Sequence, residues 1–290
     1  MRFTTFQKNG QHRLGVIEGG DQVIDLSAAV PEVNADLRLA LKSGVDLLSA
    51  GKKALSSNAN RLPMAGLELS PIMPEPGKII CLGLNYFDHA KEGGREKPEY
   101  PWFFLRCATS LLAPNAHAVL PKVSERLDYE AELAVVIGKS VKHATMENAL
   151  DCVFGYSCFN DISVRDYQKK TPQWTIGKNF DKTGGFGPVL VSADELPRGA
   201  QGLAIQARLN GQVMQDANTR DMIWGVAETI KLLTECMTLE PGDLIVMGTP
   251  AGVGQARTPP VWMRDGDSIE IEIENIGVLR NKIQSEVHAA

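Results

Sequence analysis

The sequence predicts a β-rich α+β fold, with a small N-terminal α+β domain over residues 1–72 and a larger domain over residues 73–285. Strand-like apolar runs are frequent after Lys78, whereas convincing helical periodicity is confined there to two segments. Strands and helices do not alternate strictly, so a doubly wound parallel sheet is not expected. No repeat of fixed period and no low-complexity tract is present, which argues against solenoids and propellers.

The first 72 residues read as a strand meander followed by a helical segment. Apolar and polar residues alternate in three runs separated by turn-forming dipeptides, at residues 2–7, 12–18 and 22–26. Apolar residues then recur at helical spacing over residues 34–56, with Asn34 as the expected N-cap. Three prolines and a glycine interrupt regular structure over residues 71–77 and indicate the domain boundary.

The larger domain is expected to contain at least six strands and a hairpin. The strands are predicted at residues 79–84, 129–138, 153–160, 203–209, 244–247 and 268–274. Asn210-Gly211 favours a tight hairpin turn. The two helices are predicted at residues 161–169 and 221–237.

Composition excludes several classes of function. The 290 residues are 43% apolar and 22% charged with a net charge of −5, which is typical of a folded domain and not of a nucleic-acid binder. Partnership with an acidic membrane is not expected either. No apolar run is long enough for a membrane helix and the first residues do not form a signal peptide, so a cytoplasmic location is predicted. The five cysteines form no C-x-x-C pair and are expected to be reduced core residues.

Two glutamates on one predicted strand form the first candidate site. Side chains alternate along a strand, so Glu130 and Glu132 share a face while apolar residues fill the other. If buried, these carboxylates would repel each other, and a hard divalent cation would offset the repulsion. Asp161, which follows an apolar strand, is the expected third ligand.

The alternative is that these glutamates form an ordinary solvent-facing strand surface. The strand at residues 268–274 has the same alternating glutamates and is expected to be half-exposed. What separates the two strands is the continuation of the glutamate face through Ala134, Val136 and Gly138, which indicates burial on both sides.

A histidine and a glutamate at helical spacing form the second candidate site. If the segment after Asn85 is helical, His89 and Glu92 lie on one face, where the carboxylate can orient the imidazole as a general base. A surface turn with an incidental ion pair is the alternative, and Gly93-Gly94 is compatible with both.

Three further polar groups are candidates for binding a substrate. Arg165 and Gln168 follow Asp161 at helical spacing, and a guanidinium suits a substrate carboxylate, although an exposed helix with an ion pair is the alternative. Lys178 is a lone cation among apolar residues, where a surface lysine is the alternative. The glycine-rich loop over residues 248–254 offers backbone amides and the Thr249 hydroxyl to an anion.

Taken together, five segments resemble the fumarylacetoacetate hydrolase family over residues 78–282. The resemblance rests on Gly83-Leu84-Asn85-Tyr86 with His89 and Glu92, Asp128-Tyr129-Glu130-Ala131-Glu132, Asn160-Asp161 with Arg165 and Gln168, Lys178-Asn179-Phe180, and Pro241-Gly242-Asp243 through Gly254. Two departures occur: Leu84 stands where acylpyruvase-like members usually carry arginine, and residues 181–188 differ from the more usual proline-containing segment.

The resemblance implies a mixed β-roll, a homodimer and a bound Mg²⁺ or Mn²⁺, with Ca²⁺ as a further possibility. It assigns the metal to Glu130, Glu132 and Asp161 and places the His89–Glu92 pair on a lid over the substrate. Lys178 would assist catalysis, and the residues expected to contact substrate are Tyr86, Arg165, Gln168 and Thr249.

The activity that the resemblance implies is hydrolysis of a C–C bond in a 2,4-dioxo acid such as fumarylpyruvate. Pyruvate would leave as an enolate that the metal stabilises. The alternatives are an oxaloacetate-type decarboxylase or tautomerase, and an isomerase of unsaturated 2-oxo dioic acids in the degradation of aromatic compounds. A non-catalytic binding module is the alternative from another class.

Overall fold

The computed structural model describes residues 1–94 and 96–286. The strands are β1 (Arg2–Lys8), β2 (Gln11–Glu18), β3 (Gln22–Asp25), β4 (Arg61–Pro63), β5 (Ile79–Gly83), β6 (Trp102–Arg106), β7 (Leu111–Leu112), β8 (His117–Leu120), β9 (Leu127–Asp128), β10 (Ala131–Ile137), β11 (Val153–Asp161), β12 (Ser163–Val164), β13 (Gly184–Ser192), β14 (Ala204–Leu209), β15 (Gln212–Asn218), β16 (Leu244–Val246), β17 (Ser268–Ile273) and β18 (Gly277–Ser285). The α-helices are α1 (Leu26–Ala29), α2 (Leu37–Lys42), α3 (Leu47–Leu55), α4 (Phe87–Glu92), α5 (Arg165–Gln168), α6 (Thr175–Lys178) and α7 (Val226–Cys236).

The strands form two large mixed sheets and one short pair. The larger sheet has eleven strands in the order β4-β3-β2-β1-β13-β11-β10-β16-β5-β6, with β7 beside β13. A five-stranded sheet has the order β15-β14-β17-β18-β8, and β12 pairs with β9. Most neighbours are antiparallel, but β16 and β5 run parallel. The β-rich α+β class and the hairpin at Asn210-Gly211 are thereby confirmed.

The N-terminal meander is built into the larger sheet. Strands β1, β2 and β3 pair in sequence, as predicted, and β1 also pairs with β13 through Arg2 opposite Val191 and Phe3 opposite Leu190. The meander therefore continues the sheet that contains β10 and β11. The division into residues 1–72 and 73–285 stays a prediction.

The single helix expected over residues 34–56 is in fact two helices, α2 and α3. Gly44, with φ of +75°, breaks the chain between them because a left-handed residue cannot continue an α-helix. Asp36 caps α2 and Asp46 caps α3, whereas the side chain of Asn34 accepts a hydrogen bond from the Asp36 amide. The expected N-cap at Asn34 is thus wrong by two residues.

The other two predicted helices are shorter than expected. Ser163 and Val164 pair with Asp128 and Leu127 as strand β12, so α5 begins only at Arg165. Helix α7 begins at Val226 because the preceding backbone is used elsewhere: the Trp224 amide donates to the side chain of Asn85. Sheet pairing and long-range hydrogen bonds override helix propensity in both places. Within the described residues no helix is long and apolar enough to cross a membrane.

Strand β10 lies at the centre of the molecule and is buried along its whole length. On one face Leu133, Val135 and Ile137 belong to the core that the five-stranded sheet covers. On the other face Ala134 and Val136 belong to a second core, which includes residues of α2 and α3. The glutamate face of β10 is therefore enclosed, in contrast to β17, whose glutamates are only half-buried.

The cysteines are only partly as expected. All five are free thiols, and Cys81, Cys152 and Cys158 are buried. Cys107 and Cys236 are exposed, so the prediction that every cysteine is a core residue is wrong. Cys107 follows the edge strand β6, and Cys236 ends α7, two positions where the chain meets solvent.

Candidate metal centre and active site

Antiparallel pairing of β10 with β11 brings three carboxylates together. Ala131 lies opposite Asn160, so Glu130 and Glu132 flank the position where β11 ends at Asp161. The Asp161 amide donates to the Glu130 carbonyl over 3.0 Å and fixes this junction. The three side chains are buried, and each offers a carboxylate oxygen within 4.8 Å of the others. This cluster could hold a metal ion.

Three buried cations pair with these carboxylates. Lys178, at the end of α6, places Nζ 2.6 Å from Oε2 of Glu130 and 2.5 Å from Oδ2 of Asp161. Arg106, at the end of β6, donates from Nη1 to Oδ1 of Asp161 over 2.5 Å. Arg165 forms an ion pair with Oε1 of Glu130 over 2.7 Å. The two Glu130 oxygens therefore face two different cations.

The pKa values of the two glutamates are shifted in opposite directions. Burial opposes ionisation of Glu130, but the positive charges of Arg165 and Lys178 outweigh it and lower the pKa of that carboxyl. Burial raises the pKa of Glu132 well above its ordinary value, and repulsion from Asp161 and Glu130 raises it further. Burial opposes the charge on Lys178, yet Asp161 and Glu130 raise the pKa of its ammonium group.

The donor set fits a hard divalent cation. Four buried acids lie here, the three carboxylates and Asp128, which accepts from Nε of Arg165 over 2.8 Å. The cations Arg106, Arg165 and Lys178 balance three of these charges. Among the described residues Glu132 accepts one hydrogen bond, from the Gly248 amide over 2.5 Å, and no cation pairs with it. Oxygen ligands in such a cluster are the ligands that Mg²⁺ and Mn²⁺ prefer.

The amides of the glycine-rich loop bind carboxylates of the protein itself. Gly248, Gly252 and Gly254 donate to Glu132, Glu92 and Asp128, respectively, over 2.5–2.9 Å. The expectation that these three amides receive an external anion is therefore wrong, because the fold has already filled them. The loop instead joins Glu92 of α4 to Asp128 and Glu132, which lie four residues apart on another segment.

Thr249 is held in place by Gln215. Its hydroxyl donates to the carbonyl of Ala131 over 3.0 Å and accepts from Nε2 of Gln215 over 2.8 Å. The Gln215 side chain also accepts from the Ala131 amide over 2.9 Å. This buried glutamine thus links strand β10 to the loop that carries Thr249.

The second predicted pair, His89 and Glu92, lies on the short helix α4. Within α4, Nδ1 of His89 lies 2.8 Å from Oε1 of Glu92, and Oε2 of Glu92 accepts from the Gly252 amide over 2.9 Å. Asn85 anchors the start of this segment, donating to the carbonyls of Trp224 and Met247. The imidazole orientation is therefore fixed through Glu92 and the glycine-rich loop.

One cavity of about 710 Å³ joins most of the predicted site residues. Its lining includes His89, Glu92, Glu130, Glu132, Arg165, Gln168, Lys178 and Thr249. Leu84, held at a left-handed φ of 58°, also lines it. Two predicted residues do not line it: Asp161 lies behind Lys178, and Tyr86 is buried, its hydroxyl without a hydrogen-bond partner among residues 1–94 and 96–286.

Sequence reasoning missed three residues that organise the site. Arg106 pairs with Asp161, Asp128 holds Arg165 and the glycine-rich loop, and Gln215 holds Thr249. Asp128 lies in the same motif as Glu130, which is a usable signal. Arg106 and Gln215 lie on unremarkable strands far along the chain from their partners, so nothing local distinguishes them.

The fold and this site can now be compared with known proteins. The sequence model described as fumarylacetoacetate (FAA) hydrolase C-terminal matches residues 78–284. A mitochondrial oxaloacetate tautomerase of Xenopus laevis is 37% identical over 288 residues, covering 98% of this chain and 90% of the relative.

Two solved structures have the same fold. A fumarylacetoacetate hydrolase from Exiguobacterium antarcticum has 34% identity and a TM-score of 0.86, covering 99% of this chain and 100% of that one. A maleylpyruvate hydrolase from Sphingobium sp. SYK-6, in complex with manganese(II) and pyruvate, has 30% identity and a TM-score of 0.82 with the same coverage. With these likenesses along nearly its whole length, the chain belongs to the fumarylacetoacetate hydrolase family.

Proposed function

We propose that the protein is a keto–enol tautomerase of 2-oxo dioic acids of the oxaloacetate class, dependent on Mg²⁺ or Mn²⁺. One observation carries the proposal: a single cavity presents the buried carboxylates of Glu130 and Glu132, the cation of Lys178 and the oriented imidazole of His89. The oxaloacetate tautomerase named above supports this substrate class. The sequence favoured C–C hydrolysis first, and the match of a tautomerase to nearly the whole chain reverses that order.

The metal would be held by Glu130, Glu132 and Asp161, and the manganese in the Sphingobium relative supports this choice. A bound divalent cation supplies a Lewis acid that stabilises negative charge on the 2-oxo oxygen. Other groups of the protein position these carboxylate side chains: Arg106 fixes one oxygen of Asp161, and the Gly248 amide fixes one oxygen of Glu132.

His89 is the proposed proton carrier. A carboxylate only accepts hydrogen bonds, so Nδ1 of His89 donates to Glu92 and the lone pair remains on Nε2. Nε2 takes a proton from C3 of the substrate and the imidazolium that results is stabilised by Glu92. The imidazolium exchanges this proton with solvent and gives a proton to the 2-oxo oxygen, which completes the enol, so the conversion needs no further reactant. Closure of α4 as a lid stays a prediction.

The remaining groups are proposed to hold the substrate. Lys178 stays protonated because its pKa is raised, so its ammonium steadies the oxygen on which negative charge develops. Oε1 of Gln168 accepts from Nη1 of Arg165 over 3.0 Å, which leaves the Gln168 amide nitrogen to donate to a substrate oxygen. Contacts from Arg165, Thr249 and Tyr86 to substrate remain predictions.

C–C hydrolysis of an acylpyruvate is the second candidate, and the His89–Glu92 pair favours it. The same Nε2 can take a proton from water, whose oxygen adds to the C4 carbonyl carbon. The C3–C4 bond then breaks with its electron pair on C3, and the imidazolium returns the proton to C3 to give pyruvate. The maleylpyruvate hydrolase relative supports this chemistry. Decarboxylation of oxaloacetate-type acids and isomerisation of unsaturated dioic acids would proceed through the same type of enolate. A non-catalytic module is not favoured for a chain of an enzyme family.

The test is a panel of oxaloacetate, acylpyruvates and unsaturated dioic acids with added Mg²⁺, followed by enol absorbance and by pyruvate release. We expect fast enol conversion of oxaloacetate and slow or no pyruvate release from acylpyruvates. His89→Ala should slow the conversion roughly 10²–10⁴-fold, the usual contribution of a positioned base. Rapid acylpyruvate cleavage without oxaloacetate conversion would establish the hydrolase instead.

Two wider properties are also proposals. We propose a homodimer and a cytoplasmic location; the five free thiols support a reducing compartment. The name of the Xenopus relative places that protein in mitochondria, so cell fractionation is the appropriate test of location. Analytical ultracentrifugation tests the dimer.

A further inference from the structure

Charge is divided unequally along the cavity. Its acidic lining residues, Glu92, Glu130 and Glu132, belong to the metal-binding and imidazole side. The chain segment that follows α5 contributes Lys169 and Lys170 to the lining and no acid. A ligand that extends from the carboxylates to the segment after α5 therefore meets two lysines there and no acid from that segment.

A second cavity, of about 290 Å³, continues from the lysine side. It shares Arg165, Lys169 and Gln255 as walls with the larger cavity and adds Arg126, Pro260 and Trp262. Three of these six residues are cations and none is an acid. The junction of the two cavities thus offers positive charge to a ligand that enters from the active site.

Two of these cations have no partner among the described residues. Within residues 1–94 and 96–286, Nζ of Lys169 and the guanidinium of Arg126 form no hydrogen bond or ion pair. Arg165 is already paired with Asp128 and Glu130, and the ammonium of Lys170 lies 3.3 Å from the ring centroid of Tyr167. Lys169 is exposed at the cavity, where partial desolvation and the positive charges of Arg165 and Arg126 lower its pKa, so a bound anion would relieve repulsion here.

We propose that Lys169, assisted by Arg126, binds the second carboxylate of a 2-oxo dioic acid and so determines preference for dicarboxylates over monocarboxylates. The inference rests on the proposed function, because the 2-oxo acid end is taken to lie at Glu130, Glu132 and Asp161. The cavity of about 710 Å³ is in the upper part of the ~300–1,000 Å³ range of ligand pockets, which leaves room beyond a four-carbon acid.

Matched pairs of ligands test the proposal by calorimetry with Mg²⁺ present. The pairs are 2-oxoglutarate with 2-oxopentanoate and 2-oxoadipate with 2-oxohexanoate, which differ only in the terminal carboxylate. We expect wild type to bind at least one dioic acid more tightly than its partner. Lys169→Met should weaken binding of that dioic acid roughly 10–100-fold, the size expected for loss of a hydrogen bond to a charged group. The affinity for the matching monocarboxylate should stay within about twofold of wild type.

Two further variants isolate the role of this charge. Lys169→Arg should retain the preference, whereas Lys139→Met, an equal charge change beyond the far end of β10, should leave both affinities unchanged. Equal wild-type affinity within both pairs, or equal weakening of both members in Lys169→Met, would overturn the proposal. Selective binding without conversion of oxaloacetate would contradict only the proposed function, because the titration does not depend on turnover.

Discussion

Replacing Lys178 by methionine removes a buried positive charge while keeping the length of the side chain. The ammonium contacts Glu130 over 2.6 Å and Asp161 over 2.5 Å, and the lysine side chain is only 2% exposed. Its loss leaves two buried carboxylates short of one counter-charge. Removal of one partner from a buried ion pair costs about 3–5 kcal/mol, so we expect the metal-free variant to lose that much stability.

Divalent metal should reverse about half of this loss. Lys178 contacts one oxygen of each of two candidate metal ligands, so its removal frees both oxygens and adds net negative charge. A hydrogen bond to a charged group is worth about 1.5–3 kcal/mol, and Mn²⁺ is therefore expected to bind Lys178→Met roughly 10–100-fold more tightly than wild type. Tautomerase activity should nevertheless fall, because the ammonium that steadies substrate charge is absent.

The assay is urea unfolding with and without Mn²⁺, combined with calorimetric titration of Mn²⁺. Lys53→Met is the matched control: Lys53 pairs with Glu32 over 2.9 Å, but both side chains are more than half exposed. Such a pair contributes about 0–1 kcal/mol, and neither Mn²⁺ affinity nor activity should change. Weaker Mn²⁺ binding in Lys178→Met, or a stability loss that Mn²⁺ does not reduce, would refute the reasoning.

Three further perturbations have distinct expected outcomes. Glu132→Ala should abolish Mn²⁺ binding and activity because it removes one of three carboxylate ligands. Glu272→Ala, on the half-exposed face of β17, should change neither. Calorimetric titration of Mn²⁺ and enol absorbance check both variants. Gln215→Leu should leave Mn²⁺ affinity within about threefold but weaken substrate binding, since it releases Thr249 while keeping volume, and a KM measurement checks this. Burial opposes ionisation of Asp25, but hydrogen bonds from Arg13 and the Ala28 amide lower its pKa, so the stabilisation it gives is complete above its ordinary unfolded pKa and is lost as pH falls through the lower folded value. Asp25→Asn keeps an N-cap acceptor for α1 but removes the charge that pairs with Arg13, which should cost about 1–2 kcal/mol at pH 7. Urea unfolding should show the difference vanishing in acid, and a constant difference down to pH 2 would contradict the reasoning.

Short-range patterns in the sequence were enough to identify the elements that carry the site. The alternating Glu130 and Glu132, with the apolar continuation of their face along β10, predict burial, and Asp161 follows from its place at the end of an apolar strand. His89 and Glu92 follow from helical spacing. Each of these inferences uses residues within a few positions of one another.

Long-range contacts set the features that sequence reasoning missed. Arg106 reaches Asp161 across 55 positions, and the Gly252 amide reaches Glu92 across 160, so neither partnership has a local signature. The loop amides look available in the sequence because their acceptors are distant. The start of α5 shows the same effect, since pairing of Ser163 with Asp128 replaces the expected first helical turn by a strand.

The exchange of the C3 hydrogens of oxaloacetate in D₂O tests the central claim most directly. Proton NMR with Mg²⁺ measures removal of the C3 proton without reference to the later fate of the enol. The account predicts that wild type and Glu272→Ala accelerate exchange over a protein-free Mg²⁺ control, and that Glu132→Ala does not. Exchange at the control rate with wild type, or equal acceleration by Glu132→Ala, would contradict it.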